Sequence, residues 1–295
     1  RRRAERVIMM NIKESKRFRD IIWKSIAYIV ITAFGALLII PFFWAVSTSL
    51  KPAGQEFTYP PKWIPEPFMW ENYRIALTLL PFATFLKNTI IITVFATIGS
   101  VLTASLAGYA FARLQFPGKN FLFMLCLSTM MLPYVVTLIP TFILFKWMGW
   151  VDTFYPLIVP SWFGGGAFFI FLCRQFFMTL PLDYDDAAKI DGANEWYIYG
   201  KIIMPLSQPV VITMLIFNIV NHWNDFMGPL VFLHSMEKRT VAIGLRTFLT
   251  SMTERSDWNY LMAASVATTI PILILFFVAQ KYFIRGVVMS GLAGR

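Results

Sequence analysis

Charge is scarce in this chain: Asp, Glu, Lys and Arg make up 14% of its 295 residues, against roughly 25% in an average soluble domain. With 57% of residues hydrophobic, that scarcity argues against a soluble domain and points to the bilayer. Cysteine and histidine are scarcer still. Cys126 and Cys173 both sit inside apolar stretches, which argues against a disulfide framework and leaves the redox compartment open. The only histidines, His222 and His234, belong to no His-Glu-x-x-His, which argues against a zinc protease. Neither Gly-x4-Gly-Lys-Ser/Thr nor Gly-x-Ser-x-Gly occurs, so any ATP hydrolysis must belong to another chain. No internal repeat or low-complexity segment is evident.

What the sequence does have is long uncharged runs. They fall at residues 25–50, 88–112, 120–145, 153–173, 202–224 and 258–280, each enough to cross a hydrocarbon core of about 30 Å, which takes about 20 helical residues. The period-two alternation of a membrane barrel is absent. The expected fold class is therefore an all-α membrane protein: six transmembrane helices in one domain over residues 25–295, preceded by a basic segment over 1–24. That segment carries Arg1, Arg2, Arg3, Arg6, Lys13, Lys16, Arg17, Arg19 and Lys24. A basic flank before an apolar span marks the cytoplasmic side and attracts anionic lipid. No basic stripe recurs beyond it, so nucleic acid is not an expected partner. Six spans put both termini on one side, and the remaining Lys and Arg divide almost evenly, so cytoplasmic N- and C-termini rest on this flank alone. The first apolar run is too long for a cleaved signal, whose core is about 7–15 residues. Because the chain starts without Met, residues before Arg1 are expected.

The loop Lys51–Pro81 is rich in Pro, Trp and Tyr, with Trp63, Trp70 and Tyr73 suited to an outer interface. Together with the loop around Glu237–Asp257 it forms either a receiving surface for an external partner or a pair of solvated connectors. Along the second run, Ala96, Ser100, Ala104, Gly108 and Ala112 recur every four residues, a small-residue stripe that admits another helix, from this chain or from a second subunit. Gly164-Gly165-Gly166 in the fourth run weakens a helix and suits a hinge or a close contact.

The charged interruption between the fourth and fifth runs is the most informative stretch. Pro181 suits a helix start, and Asp183, Asp185 and Asp186 follow at its positive end. Ala187 and Ala188 favour helix with almost no side chain, Gly192 permits a left-handed cap, and Asn194 can cap a second short helix. Trp196, Tyr199 and Ile203 recur on one face of that helix, and Pro205 and Pro209 mark the break into the fifth span. Physics alone leaves two readings: a docking element, or an amphipathic helix lying among headgroups.

The order Asp186-Ala187-Ala188, three residues, Gly192, nine residues, Ile202, then Pro205 resembles the EAA signature of ABC-importer permease subunits. Within that family the chain resembles the smaller permease subunit of the carbohydrate (maltose-type) group. Supporting pieces are Trp70-Glu71-Asn72-Tyr73, Asn88-Thr89, Arg174-Gln175-Phe176-Phe177 and Trp223-Asn224-Asp225-Phe226. The resemblance implies a sugar or oligosaccharide importer of a bacterial or archaeal inner membrane. It also implies a second homologous permease subunit, two cytoplasmic ATP-binding subunits that hold ATP and Mg, and an extracytoplasmic solute-binding protein; this chain would hold no cofactor or metal and have no catalytic residue. Asp185, Asp186, Ala187, Ala188, Asp191, Gly192, Ala193, Ile202 and Pro205 would couple the ATPases to the gate. Asp186 replaces the motif's Glu and Met204 its Leu; the tail from Gly286 lacks the family's Lys.

Asn218, Asn221, His222 and Asp225 share a helical face, and an ionisable group at membrane depth is costly unless paired or wet. With Trp162 they form a candidate substrate path, although surface placement or interhelical bonding also explains them. The solute stays open among neutral malto-oligosaccharide, glycerol phosphate ester and acidic oligosaccharide such as alginate. Ion-coupled secondary transport would call for midplane carboxylates or an inverted repeat, and neither is seen. A membrane-embedded assembly subunit without its own transport path remains a further alternative.

Overall fold

Uncharged runs of this length must satisfy their own backbone groups in lipid, and among the described residues they do so with helices alone. The computed structural model describes the backbone of residues 2–251 and 258–292 and the side chains of residues 19–249 and 258–280. The basic side chains before Arg19 and the tail pattern from Gly286 lie outside those described residues.

In chain order the helices are α1 (Arg2–Ser49), α2 (Glu71–Leu79), α3 (Phe82–Arg113), α4 (Lys119–Ser128), α5 (Tyr134–Trp147), α6 (Tyr155–Ile158) and α7 (Ala167–Thr179). There follow α8 (Asp183–Ile190), α9 (Glu195–Tyr197), α10 (Met204–Leu206), α11 (Gln208–Trp223), α12 (Met227–Phe232), α13 (Val241–Ser251) and α14 (Trp258–Leu292). Four segments are long and apolar enough to cross a membrane: Arg19–Ser49, Phe82–Arg113, Tyr155–Thr179 and Trp258–Gln280. Two bent pairs raise the number to six if each is counted as one span: Lys119–Met131 with Tyr134–Trp147, and Glu195–Leu206 with Gln208–Trp223.

Breaks in the helix fall inside three of the expected spans. Run 120–145 turns by 100° at Leu132–Pro133; Leu132 is extended (φ −79°, ψ 118°), as the ring of a following proline demands. Run 202–224 turns by 79° at Ser207 (φ −98°, ψ 16°), so the fifth straight span begins at Gln208 and Ile202–Leu206 belongs to the interruption before it. Run 153–173 is broken at Gly164, Gly165 and Gly166, whose φ angles are +94°, +61° and +107°. No L side chain adopts that sequence of conformations without strain. Gly165 also abuts α3: a Cβ there would lie 1.8 Å from Ser100 Oγ.

At the centre stands α3, packed by α7 and α11. Its small-residue stripe is what admits them. Ala96, Ser100, Ala104 and Gly108 are buried, and a Cβ on Gly108 would meet Cys173 Cβ of α7 at 2.5 Å. Hence the stripe is an internal packing surface of this chain. By contrast α1 packs along α14 and leaves Ile29, Ile31, Phe34 and Leu38 exposed, as a helix facing lipid does.

At one end of the bundle the loops are tied by two neutral amides and one ion pair. The Asn72 amide donates to Ser49 O and Lys51 O, both at 2.9 Å. The Asn88 amide donates to Glu237 O at 2.7 Å and Arg239 O at 2.9 Å. Asp152 accepts from the backbone N–H groups of His234 and Ser235 at 2.9 and 3.0 Å and pairs with Lys238.

Candidate functional site

The interruption folds as two helical arms joined by a tight turn. Leu182 is the N-cap of α8, and Asp183, Asp185 and Asp186 occupy the first turn with Lys189 in the last, matching the helix dipole at both ends. The helix closes on a Schellman pattern: Ala193 N–H donates to Ala188 O at 2.9 Å and Gly192 N–H to Lys189 O at 3.0 Å, with Gly192 at φ +82°. Asn194 then caps α9, its Oδ1 accepting from Tyr197 N–H at 2.8 Å.

The second arm runs through a π-helical turn over Ile198–Ile203. Its i to i+5 bonding widens the turn, so Ile198 and Ile203, both fully buried, share the inward face. Trp196, Tyr199 and Ile203 therefore do not form the expected common face, and Trp196 is 72% exposed.

Two more expected positions turn inward. Ala188 packs in the core cluster with Phe177, Ile198 and Ile203. Asp185 is buried and faces Arg113, the last residue of α3, at 3.5 Å. Asp185 thus ties α8 to the bundle, while Ala188, although packed on the core, still lines the open groove of the arm. Arg113 also donates to Leu180 O at 2.9 Å. One α-helical turn earlier, Tyr109 Oη donates to Glu195 Oε2 at 2.6 Å, and Glu195 pairs with Lys189 at 2.9 Å. Ser105 and Tyr199 share a hydroxyl hydrogen bond of 2.7 Å. Both arms are thus latched to α3. Burial pushes the Asp185 carboxyl above its ordinary value against the pull of Arg113. The hydrogen bond from Tyr109, aided by Lys189, holds Glu195 below its own.

Asp186, Ala187, Asp191, Gly192 and Pro205 are exposed, and Ala193 and Ile202 are half-buried. An open groove is lined by Ala187, Asp191, Gly192, Ala193, Tyr197 and Ile202, among others. Large apolar side chains crowd the same surface, with Ile190 86% exposed, an arrangement that marks an interaction site. The motif assigns no role to Tyr109, Arg113 and Glu195. Ile190 and Trp196 carried a signal, being large apolar residues inside a charged loop. Arg113 was legible only as a charge closing an uncharged run.

Of the candidate path residues only His222 and Asp225 line one cavity. Asn218 is buried and its amide donates back to Met214 O at 2.9 Å, while Asn221 is exposed. Trp162 lies over Gly99, where a Cβ would meet its ring at 2.4 Å. His222 and Asp225 do converge, in a cavity of about 230 Å3 lined also by Tyr134, Thr141, Ser161 and Phe232. Asp225 additionally accepts from Gly228 N–H at 3.1 Å, fixing the turn into α12. Among the described residues no cluster of His, Cys, Asp and Glu suited to a metal is present.

Residues 100–289 match the family model described as "Binding-protein-dependent transport system inner membrane component". The arabinooligosaccharides transport system permease protein AraQ of Halalkalibacterium halodurans is 38% identical over 211 residues, covering 72% of this chain and 74% of that protein. The sn-glycerol-3-phosphate transport system permease protein UgpE of Yersinia enterocolitica is 30% identical over 268 residues, covering 88% and 95%. A crystal structure of a bacterial ABC transporter involved in the import of the acidic polysaccharide alginate contains a chain of the same fold. Its TM-score is 0.78 at 24% identity, covering 90% of this chain and 97% of that one.

Proposed function

The chain belongs to the family of binding-protein-dependent transport system inner-membrane components, and from that premise we propose that it imports a neutral oligosaccharide, driven by ATP hydrolysed on two partner subunits. It is a multi-pass permease subunit of an ABC transporter. A second permease completes the pathway, an extracytoplasmic solute-binding protein delivers the cargo, and the Arg113 end of α3 faces the cytoplasm with both termini.

The lining of the His222 cavity carries the choice of solute. It offers hydroxyls, an imidazole, a carboxylate and aromatic faces, and it contains no Lys or Arg. Such a wall suits sugar hydroxyls and repels a phosphate ester or a uronate. Its volume, about 230 Å3, falls below the roughly 300 Å3 of an ordinary ligand pocket, which fits one half of a site whose other wall belongs to the second permease. Of the two named relatives, this favours the sugar cargo of AraQ over the phosphate ester of UgpE.

The exposed groove of the arm docks on an ATPase subunit through Ala187, Asp191, Gly192, Ala193 and Ile202, with Asp186 exposed on the same helix. Asp185 and Ala188 hold the arm to α3, and Pro205 stands at the elbow into α11. ATP binding favours the closed ATPase pair, and the arm passes that bias to α3 and the gate. Reconstitution with the partner permease, the ATPases and the binding protein tests this reading. Labelled arabino- or malto-oligosaccharide is expected to enter only with ATP, and glycerol 3-phosphate is not. Uptake of the phosphate ester in place of sugars would overturn the solute assignment, and uptake sustained by an ion gradient without ATP would overturn the energy source.

A further inference from the structure

A second polar cavity lies away from both the arm's groove and the His222 cavity. It measures about 560 Å3, sits beyond the last turn of α3 and against the first turn of α4, and is lined by Gln115, Gly118, Lys119, Asn120, Phe121 and Arg174, among others. Two cations converge there without a counter-charge: the lining contains no Asp or Glu, and neither Lys119 nor Arg174 forms an ion pair among the described residues.

Each cation is held in place by groups that leave its charge unneutralised. Lys119 Nζ donates to Leu114 O at 2.7 Å, leaving two further N–H donors. Arg174 Nε donates to Phe111 O at 3.2 Å, and its guanidinium lies 4.2 Å from the centre of the Phe123 ring. The terminal guanidinium nitrogens carry no further bond among the described residues. The adjoining first turn of α4 is uncapped by any side chain, and the amides of Asn120 and Phe121 have no acceptor among the described residues. Fixed cations beside free amides form a receptor for a tetrahedral oxyanion. Phe121 and Met178, more than half exposed, form an apolar rim on the same cavity.

We propose that this cavity binds a phosphate group, supplied either by the headgroup of an anionic phospholipid or by free inorganic phosphate. Both α3 and the bent α4–α5 pair are membrane-crossing candidates, so the turn between them lies where headgroups lie, and basic pockets between transmembrane helices suit anionic lipid. The site is independent of which solute is carried.

The test uses the assembled transporter with wild-type chain, Lys119→Gln and Arg174→Gln. Native mass spectrometry counts retained phosphatidylglycerol against phosphatidylcholine, and equilibrium dialysis measures labelled inorganic phosphate. Each variant is expected to weaken binding of one phosphate-bearing ligand by about fivefold, the contribution of one basic residue near a membrane surface. Loss of phosphatidylglycerol retention assigns the lipid as source, and loss of phosphate binding assigns the free anion. Unchanged retention of both probes overturns the proposal, and Lys119→Gln alone decides it if Arg174→Gln does not assemble.

Discussion

The two ends of α3 are fastened by different chemistry. At its start, the neutral amide of Asn88 donates to the carbonyls of Glu237 and Arg239, and Thr89 Oγ1 accepts from Val241 N–H at 3.0 Å. Those partners are backbone groups, fixed wherever the loop is fixed. At its finish, Arg113 meets the Asp185 carboxylate, and Tyr109 meets a Glu195 already paired with Lys189. Here the partners are side chains on short helical arms, and most of them carry charge. A neutral amide on a carbonyl sets position and little else. Ionic groups on a movable arm hold firmly in one arrangement and can re-pair in another, which is what an element that passes on a push requires.

The comparison breaks most severely at Arg113. Arg113→Ala strands the buried Asp185 carboxylate and is expected to cost about 3–5 kcal/mol, read from the denaturation midpoint of the purified complex. Arg113→Met with Asp185→Leu should regain most of that stability, since a buried ion pair is often replaceable by apolar packing, while ATP-driven uptake stays low. Normal uptake in the double variant would show that charge at this end is incidental. Asn88→Ala comes next: two carbonyls lose their donor, at about 1–3 kcal/mol, and the ratio of ATP hydrolysed to solute imported is expected not to change. Tyr109→Phe removes one hydrogen bond, about 1 kcal/mol, yet that ratio should rise because the second arm slips on α3. An equal rise in Asn88→Ala would erase the distinction between the ends.

Much of this architecture was legible from pattern alone, for reasons visible in particular residues. Uncharged runs predict spans because lipid leaves the backbone no other partner. Gly192 and Asn194 predict a cap and a helix start because few other residues take those conformations cheaply. The bends were harder. Pro133 and Gly164–Gly166 stand in plain view, but composition treats a run as apolar whether it is straight or folded back. The latch was the least legible part: Tyr109 and Glu195 lie 86 positions apart, and neither belongs to a local period. Asp185 and Asp186 are neighbours of the same chemistry, and only the direction in which α8 packs sends one to the core and the other to the surface.

Acid titration gives the finest test of the comparison. Glu195 is held below its ordinary value of 4.5 by Tyr109 and Lys189, so its stabilisation is complete above that value and fades as pH falls through the lower folded one. Asp185 is shifted the other way, above 3.8, by burial. Its ionised form is disfavoured in the fold, so the folded state gains relative to the unfolded one as pH falls through that raised value and takes up the proton. The two arms should therefore respond to acid with opposite sign: protonation of Glu195 removes the grip on Tyr109 and costs stability, whereas protonation of Asp185 favours the fold. Denaturation midpoints from about pH 7 to about pH 4 check the assignment. Glu195→Gln should flatten the acid-side loss, and Asp185→Asn should remove the opposing gain. At the other end of α3 no titrating side chain takes part in the Asn88 bonds, so the deficit of Asn88→Ala should stay constant across the same range. A deficit that grew or shrank with pH would mean that the neutral end is electrostatically coupled after all.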